Sequence, residues 1–270
     1  VIMAFQDFNI YLGLRAFLDS QWIGLKNYTD LIKMGEVKRI LANTITISFW
    51  KMVVGYIVPV IVSVLLNEIR KPILKRSFQT IVYMPHFISW VLLAGVLKQV
   101  LATDGIVNNL LDALNVKPIP FLTSNKWFVL TLVASDVWKN FGFNTIVYLA
   151  AITSIDPTLY EASIMDGANR RMQTLHVTIP GMLPILVLTL VLMLQNILNA
   201  GFDQIFNLYN VQVYATGDII DTWIYRVSFK AATPMYDKAT AVGLFKSVVS
   251  LLFISTSYWL AYRYAKYRIF

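Results

Sequence analysis

The chain has 270 residues, of which 57% are hydrophobic and 14% are charged. A soluble domain is about half apolar and about a quarter charged, so this composition excludes an ordinary soluble domain and predicts a multispanning membrane protein. The absence of cysteine excludes disulfides, thiolate metal sites and cysteine nucleophiles. The net charge of +8 does not indicate nucleic-acid binding, because most basic residues fall in short connections between apolar runs, where they set membrane orientation.

Residues 1–41 precede the first long apolar run and have a mixed composition. Val1–Phe5 is apolar, like the end of a span that begins earlier, and no signal peptide is recognisable. We therefore expect residues 1–41 to be an external segment that follows a further, N-terminal transmembrane helix.

Residues 42–270 are predicted to form one membrane domain. A helix needs about 20 apolar residues to cross the hydrocarbon core. Five runs have that length, at about 42–66, 79–101, 127–152, 182–201 and 239–262. Some contain glycine, proline or a single charge, which membrane helices accept where they face other helices or a water path. The predicted fold class is all-α, a polytopic membrane helix bundle.

The basic residues predict the orientation of these spans. They cluster in three segments on one side: Arg70, Lys71, Lys75 and Arg76; Arg170 and Arg171; and Arg263, Lys266 and Arg268. Positively charged loops face the cytoplasm, so we expect a cytoplasmic C-terminus. The longer connections, 102–126 and 202–238, are then external.

Polar residues recur at helical spacing inside three runs, so each set shares one helix face. The sets are Thr44, Ser48 and Lys51; Asp136, Asn140 and Asn144, with Lys139 beside them; and Asn196, Asn199 and Asp203. Charges inside a membrane usually face a bundle interior or a water-filled path. The sequence therefore predicts a translocation path lined by Lys51, Asp136, Lys139, Asn140, Asn144, Asn196, Asn199 and Lys246.

A structural interpretation of the same residues stays open. Asp136 and Lys139 could pair with each other at i, i+3, and Lys246 could join a helix contact. Lys98 could extend to the headgroups. By the predicted topology, and at about 1.5 Å per residue, the outer halves of the helices hold Lys51, Lys98, Asp136, Asn196 and Lys246.

No catalytic motif is recognisable. A phosphate-binding G-x-x-x-x-G-K-[ST] loop is absent, and 243–247 has too few residues and lies inside a run. His86 is interpreted as a packed or interfacial histidine and His176 as an exposed loop residue. We expect no enzyme activity and no cofactor in this chain.

The connection 154–181 is polar and basic between two apolar runs. Asp156 and Pro157 are typical of a helix N-cap and first helical position. Gly167 is expected to break that helix, because a side chain there would obstruct the turn. A second helix should follow and stop before Pro180. The prediction is a pair of short helices at the membrane face.

This connection resembles the EAA loop of permease subunits of binding-protein-dependent ABC importers. The matching positions are Glu161-Ala162-Ser163, Asp166-Gly167-Ala168 and Ile179-Pro180. The sequence departs from the family pattern at Ser163, in place of alanine, and at Thr174, where many members have phenylalanine. The resemblance implies a type I ABC importer permease fold with short cytoplasmic coupling helices. It also implies an ATPase-coupling role for Glu161, Ala162, Ser163, Asp166, Gly167, Ala168 and Pro180.

The resemblance extends over essentially the whole chain. Ala4–Gly13, Trp22–Tyr28, Gln79–Trp90, Gly217–Arg226 and Ala239–Val249 are similar to carbohydrate importers of the oligosaccharide type, and among these to a permease of the bacterial alginate importer. This implies a bacterial inner-membrane complex with a second permease, two ATPase subunits that bind ATP and Mg, and an extracytoplasmic solute-binding protein. The lysines of the predicted path favour an acidic oligosaccharide such as alginate fragments.

Three alternatives remain at this stage. The substrate could be a neutral oligosaccharide. A secondary transporter would need inverted repeats, and no convincing internal repeat is visible. A channel or structural scaffold would explain the polar stripes but leaves the EAA-like loop unexplained.

Overall fold

The structure, a computed structural model, describes residues 1–265 without the side chains of Leu14 and of residues 260–265. Of the predicted cytoplasmic tail, Lys266 and Arg268 lie outside the described residues, as does the side chain of Arg263. The orientation of the C-terminus therefore stays a prediction.

Most of the described chain is helical. The first seven α-helices are α1 (Ala16–Asp19), α2 (Lys26–Lys33), α3 (Gly35–Glu68), α4 (Pro72–Tyr83), α5 (Trp90–Val100), α6 (Ile106–Ala113) and α7 (Asn125–Thr153). The next seven are α8 (Pro157–Met165), α9 (Arg170–Gln173), α10 (Ile179–Leu194), α11 (Phe202–Leu208), α12 (Tyr214–Gly217), α13 (Ile220–Tyr225) and α14 (Tyr236–Ala265). Two short strands, β1 (Gln6–Asp7) and β2 (Gln21–Trp22), pair antiparallel with Gln6 opposite Trp22.

Within residues 1–265, three helices are long and apolar enough to cross a membrane, Gly35–Glu68, Arg170–Leu194 and Tyr236–Trp259. A bent helix pair brings the count to as many as four. The predicted run 127–152 lies inside α7, which has 29 residues but does not reach the same hydropathy, because its polar stripe interrupts the apolar sequence. The first predicted span, at about 42–66, lies inside α3, which begins seven residues earlier, at Gly35.

The predicted span at about 79–101 contains a sharp bend. The helical segments Pro72–Phe87 and Trp90–Val100 meet at an angle of 101°. Pro85 has no N–H to donate, the segment Met84–Phe87 tightens into a 3₁₀ turn, and Ile88 adopts an extended conformation. The depth predicted for Lys98 from a straight helix therefore does not hold.

The predicted span 182–201 is wrong at its end. Helix α10 stops at Leu194, and Gly201 has a left-handed φ of +88° before α11 begins. Between them the Asn199 N–H donates to the Asn196 carbonyl in a turn, at 2.8 Å. Asn196, Asn199 and Asp203 therefore do not form a stripe on one helix.

Pro180 does not end the second helix of the 154–181 connection, contrary to the prediction. A π-helical turn over Thr174–Thr178 joins α9 to α10, and Pro180 lies in the first turn of α10. Proline is accepted in a first turn because its missing N–H is not needed there, and the wider π turn carries the chain past it.

The chain folds into two compact units, each built from separated segments. The first contains Val1–Phe49, Trp90–Leu132 and Asn196–Phe253, and the second contains Trp50–Ser89, Val133–Gln195 and 254–265. This division differs from the predicted one at residue 42. One core cluster of the first unit contains Ile47, Phe128, Leu132, Ile205 and Ile219, and another contains Leu31, Ile40, Ile220, Trp223 and Val242. The core of the second unit includes Tyr148, Ile152 and Met182.

Gly142 marks the closest approach of α4 to α7 within the second unit, because a Cβ at this position would overlap the backbone carbonyl of Val82. We expect Gly142→Ala to lower the free energy of unfolding by about 1–3 kcal/mol, as overpacking does. The measurement is the thermal unfolding midpoint in detergent. Gly95→Ala is the matched control, since a Cβ at Gly95 meets nothing within 4 Å, and equal midpoints for the two variants would contradict the prediction.

Candidate functional site

Four polar side chains of the second unit form a connected chain between α3, α7 and the bend after α4. The Lys51 ammonium lies 3.7 Å from the Asp136 carboxylate. The Asn140 amide donates to the same carboxylate oxygen at 3.4 Å. The Asn140 carbonyl oxygen lies 3.1 Å from His86 Nδ1. With the amide in this orientation, Nδ1 carries the hydrogen and His86 donates it to Asn140.

The bend at residue 88 gives Lys139 its acceptor. A helix that ends leaves its last carbonyls without intrahelical partners, and the Lys139 ammonium donates to the His86 carbonyl at 2.5 Å. Lys139 is buried, at 7% exposure. The ion pair identified for Asp136 is with Lys51, at 3.7 Å, while the charge of Asp136 also acts on Lys139.

Together with Lys139, this connected set of side chains contains two lysines, Lys51 and Lys139, and one carboxylate, Asp136. The set therefore contains more basic than acidic side chains. The amide of Asn140 and the imidazole of His86 add neutral hydrogen-bonding groups. Such a set can attract an anionic group and can exchange hydrogen bonds with hydroxyl groups, and it contains no arrangement for nucleophilic catalysis.

His86 belongs to this site although the sequence gave it only a packing role. Its ring stacks on Phe143 with centroids 4.1 Å apart and planes 5° from parallel. The available signal was Pro85, since a proline inside an apolar run can end a helix and free the neighbouring carbonyls. The spacing of polar residues on α7 alone could not identify His86, which lies on another segment, as the partner of Asn140.

The other predicted path residues are distributed differently. Asn144 lies one turn beyond Asn140 on α7, half-buried. Asn196, Asn199 and Lys246 belong to the first unit. There the Lys246 ammonium contacts both carboxylate oxygens of Asp221, at 2.6 and 2.7 Å. This supports the interpretation of Lys246 as a helix-to-helix contact. Lys98 lines a separate cavity of about 330 Å³ beside Pro120 and Tyr209.

The first helix of the EAA-like connection begins as predicted. The Asp156 carboxylate accepts from the Thr158 N–H at 2.9 Å, and Pro157 occupies the first position of α8. These hydrogen bonds lower the pKa of Asp156. The contribution of the cap to stability is therefore complete at neutral pH and is lost only as the pH falls through that lowered value.

Gly167 follows α8 with a left-handed φ of +78°, and a Cβ there would meet nothing within 4 Å. The predicted reason, obstruction of the turn by a side chain, is therefore wrong. The constraint is conformational, because only glycine adopts this backbone region without cost, with asparagine the best substitute. The Ala168 N–H donates to the Ser163 carbonyl at 2.9 Å, which closes the end of α8.

The second helix contacts α3, and the π turn after it contacts the first helix. Asn169 caps α9 by accepting from the Met172 N–H at 3.0 Å. The Tyr160 hydroxyl lies 2.9 Å from the Thr178 hydroxyl, and Arg170 forms an ion pair with Glu68 at the end of α3. These contacts connect α8 to the π turn and α9 to the end of α3.

The EAA-like residues themselves are largely exposed. Four of them are exposed, namely Glu161, Ala162, Asp166 and Gly167, and two are half-buried, Ser163 and Ala168. Apolar side chains accompany them, with Met165 87% exposed and Ile164 60% exposed. Exposed large apolar residues on a capped, rigid helix are typical of a protein contact surface.

Comparison with known proteins identifies relatives of the whole chain. A family model described as "Binding-protein-dependent transport system inner membrane component" matches residues 51–266. Two proteins of Bacillus subtilis (strain 168) are each 34% identical over the full chain. Protein LplB is covered over 84% of its length, and the polygalacturonan/rhamnogalacturonan transport system permease protein YteP over 83%.

A solved structure is similar in both sequence and fold. It is the crystal structure of a bacterial alginate ABC transporter in complex with alginate pentasaccharide-bound periplasmic protein. One of its chains is 37% identical with a TM-score of 0.87, covering 92% of this chain and 85% of that one. This likeness confirms the predicted all-α permease fold and the resemblance drawn from the EAA-like loop.

The Lys51–Asp136 pair is tested by a double-mutant cycle. Lys51→Met and Asp136→Leu each remove one member of the ion pair, and we expect each to destabilise the protein by about 1–3 kcal/mol, below the ~3–5 kcal/mol of a fully buried pair. The double variant should recover most of that loss. The measurement is the thermal unfolding midpoint, with Lys126→Met, an exposed lysine of α7, as control. Additive losses in the double variant would show that the pair does not interact.

Proposed function

Because this chain belongs to the family of binding-protein-dependent transport system inner membrane components, we propose that it is the permease subunit of an oligosaccharide ABC importer and forms half of its translocation pathway. The observation that carries the proposal is the EAA-like connection, an exposed pair of capped helices of which the first contacts the π turn at Thr178 and the second contacts α3 at Glu68. The proposal is further supported by relatives whose names describe polysaccharide and oligosaccharide transport.

The coupling surface is α8 with the turn that follows it. Asp156 at one end and Gly167 at the other fix the length of α8, and the Tyr160–Thr178 contact links it to the start of α10. A docked ATPase subunit would cover Ile164 and Met165 and would move both helices together, since coupling requires an element that two sites can shift. ATP and Mg are bound by two such partner subunits, and this chain holds no cofactor.

The substrate is an acidic oligosaccharide, of which alginate fragments are the example. Lys51 and Lys139 give the polar chain an excess of positive charge over Asp136, and a carboxylate-bearing sugar would balance it. Support also comes from the similarity to a chain of the alginate transporter. The path is lined by Lys51, Lys139 and the amides of α7. It opens by alternating access when the ATP-driven closure of the two ATPase subunits is transmitted through α8. A second permease and an extracytoplasmic solute-binding protein complete the complex in the bacterial inner membrane.

The coupling role predicts distinct effects for two substitutions of Gly167. Gly167→Val places a β-branched residue at φ +78°, which costs about 1–2 kcal/mol of backbone strain and distorts the end of α8. We expect ATP hydrolysis without transport, with normal membrane insertion. Gly167→Asn, which tolerates a left-handed backbone, should stay coupled. Uptake and ATP hydrolysis are measured in parallel in proteoliposomes, and normal uptake by Gly167→Val would refute the role.

The substrate class is tested with the full-length importer, reconstituted in lipid with the products of its neighbouring genes. We expect ATP hydrolysis to be stimulated by binding protein loaded with acidic oligosaccharide. Lys139→Gln keeps a donor for the His86 carbonyl but removes the charge, so uptake should fall about tenfold, as expected for one charge-assisted hydrogen bond.

The other outcomes of this experiment separate the alternatives. Equal stimulation by neutral oligosaccharides, with Lys139→Gln unaffected, would retain the importer and refute the acidic substrate. Failure of any ATPase subunit to associate would favour a secondary transporter and refute the importer.

A further inference from the structure

An apolar groove of about 130 Å³ lies between α2, α3 and α14 of the first unit. Its lining includes Tyr28, Ile32, Val37, Lys38, Leu41 and Phe245. The groove borders a well-packed cluster that contains Leu31, Val37 and Val242, so its walls are fixed by the core. Neither the polar chain nor the EAA-like connection uses any of these residues.

The length of α3 places this groove at the boundary of the membrane. Helix α3 has 34 residues, which span about 51 Å at 1.5 Å per residue, whereas the hydrocarbon core is about 30 Å thick. The ends of α3 therefore extend into the headgroup regions, in agreement with Glu36, Lys38 and Arg39 at its start. Val37 and Leu41 lie where headgroups give way to acyl chains.

The groove continues as an exposed apolar track toward the hydrocarbon region. On α3, Ile45 and Phe49 follow Leu41 at steps of four residues and are exposed. On α14, Val248 and Leu252 follow Phe245 at steps of three and four and are also exposed. Such spacing keeps the side chains on one helix face, so the track runs over about 12 Å of helix.

A single cation lies on the headgroup side of the lining. Lys38 is exposed, and within residues 1–259 none of the identified ion pairs involves it. The neighbouring Glu36 is already bound by Arg226 at 2.8 Å and by Arg39 at 3.8 Å. Asp30, the carboxylate of α2, is not part of the lining. The charge of Lys38 is therefore available to an external anion.

We propose that this groove binds one acyl chain of an anionic membrane phospholipid, whose phosphate lies against Lys38. The groove, of about 130 Å³, has apolar walls and an exposed cation at one end, which matches an acyl chain joined to an anionic headgroup. The apolar track accepts the rest of the chain. This inference depends on the membrane location of the protein and is independent of its substrate.

The test is native mass spectrometry of the assembled importer, released from nanodiscs that contain equal phosphatidylglycerol and phosphatidylcholine. We expect phosphatidylglycerol to be retained preferentially by the wild-type protein. Lys38→Gln should reduce that retention about fivefold, the effect of one basic residue near an anionic lipid. Lys26→Gln, on α2 but outside the lining, is the matched control and should have no effect.

Two further variants test the groove itself. Leu41→Trp fills it and should abolish retention of both lipids. Ile32→Glu, at a position that is 66% exposed, should repel the phosphate without disturbing the fold, which the thermal unfolding midpoint verifies. Equal losses in Lys26→Gln and Lys38→Gln, or unchanged retention in Ile32→Glu, would overturn the proposal. A photoreactive residue at Ile32 that labels a protein partner and no lipid would overturn it as well.

Discussion

The requirement that most constrains this structure is that backbone hydrogen-bonding groups in a membrane must find partners within the protein. Side chains supply some of these partners. Lys139 donates to the His86 carbonyl at the bend, Tyr56 donates to the Leu186 carbonyl of α10 at 2.8 Å, and Gln204 donates to the Leu132 carbonyl at 2.8 Å. Polar residues in the apolar runs therefore serve the backbone as well as any solute that passes.

Local rules predicted the parts of the fold that depend on neighbouring residues. The Asp156 cap, Pro157 and the turn at Gly167 follow from side-chain and backbone preferences within a few positions, and they were predicted correctly, although the reason given for Gly167 was not. The bend after Phe87 and the end of α10 at Leu194 were missed. Periodicity places polar residues on one face only while the helix continues, and the partners that stabilise a break, such as Lys139, lie far away in sequence.

The charged residues of the two units have different arrangements. In the first unit, the carboxylate of Asp218 is fully buried and binds Arg226 at 2.6 Å and the Thr222 hydroxyl at 2.8 Å. Burial raises the pKa of Asp218, and these two partners oppose the shift. Lys246 is similarly matched by Asp221. These pairs connect helices, whereas the set of Lys51, Asp136, Asn140, His86 and Lys139 contains two basic side chains against one carboxylate. Residue type alone did not distinguish the ion pairs of the first unit from the polar set of the second unit. Only the tertiary contacts of these residues did.

The π-helical turn at Thr174–Thr178 has a mechanical consequence for the span that follows it. A helix of Arg170–Leu194 has 25 residues and acts as a single rod about 37 Å long. The π turn contains one surplus residue, and moving that surplus by a turn along the rod rotates the intervening side chains by about 100°, the angle per residue of an α-helix. A small displacement at Arg170 can therefore be converted into rotation of one part of the rod about its axis, with every backbone hydrogen bond outside the turn preserved.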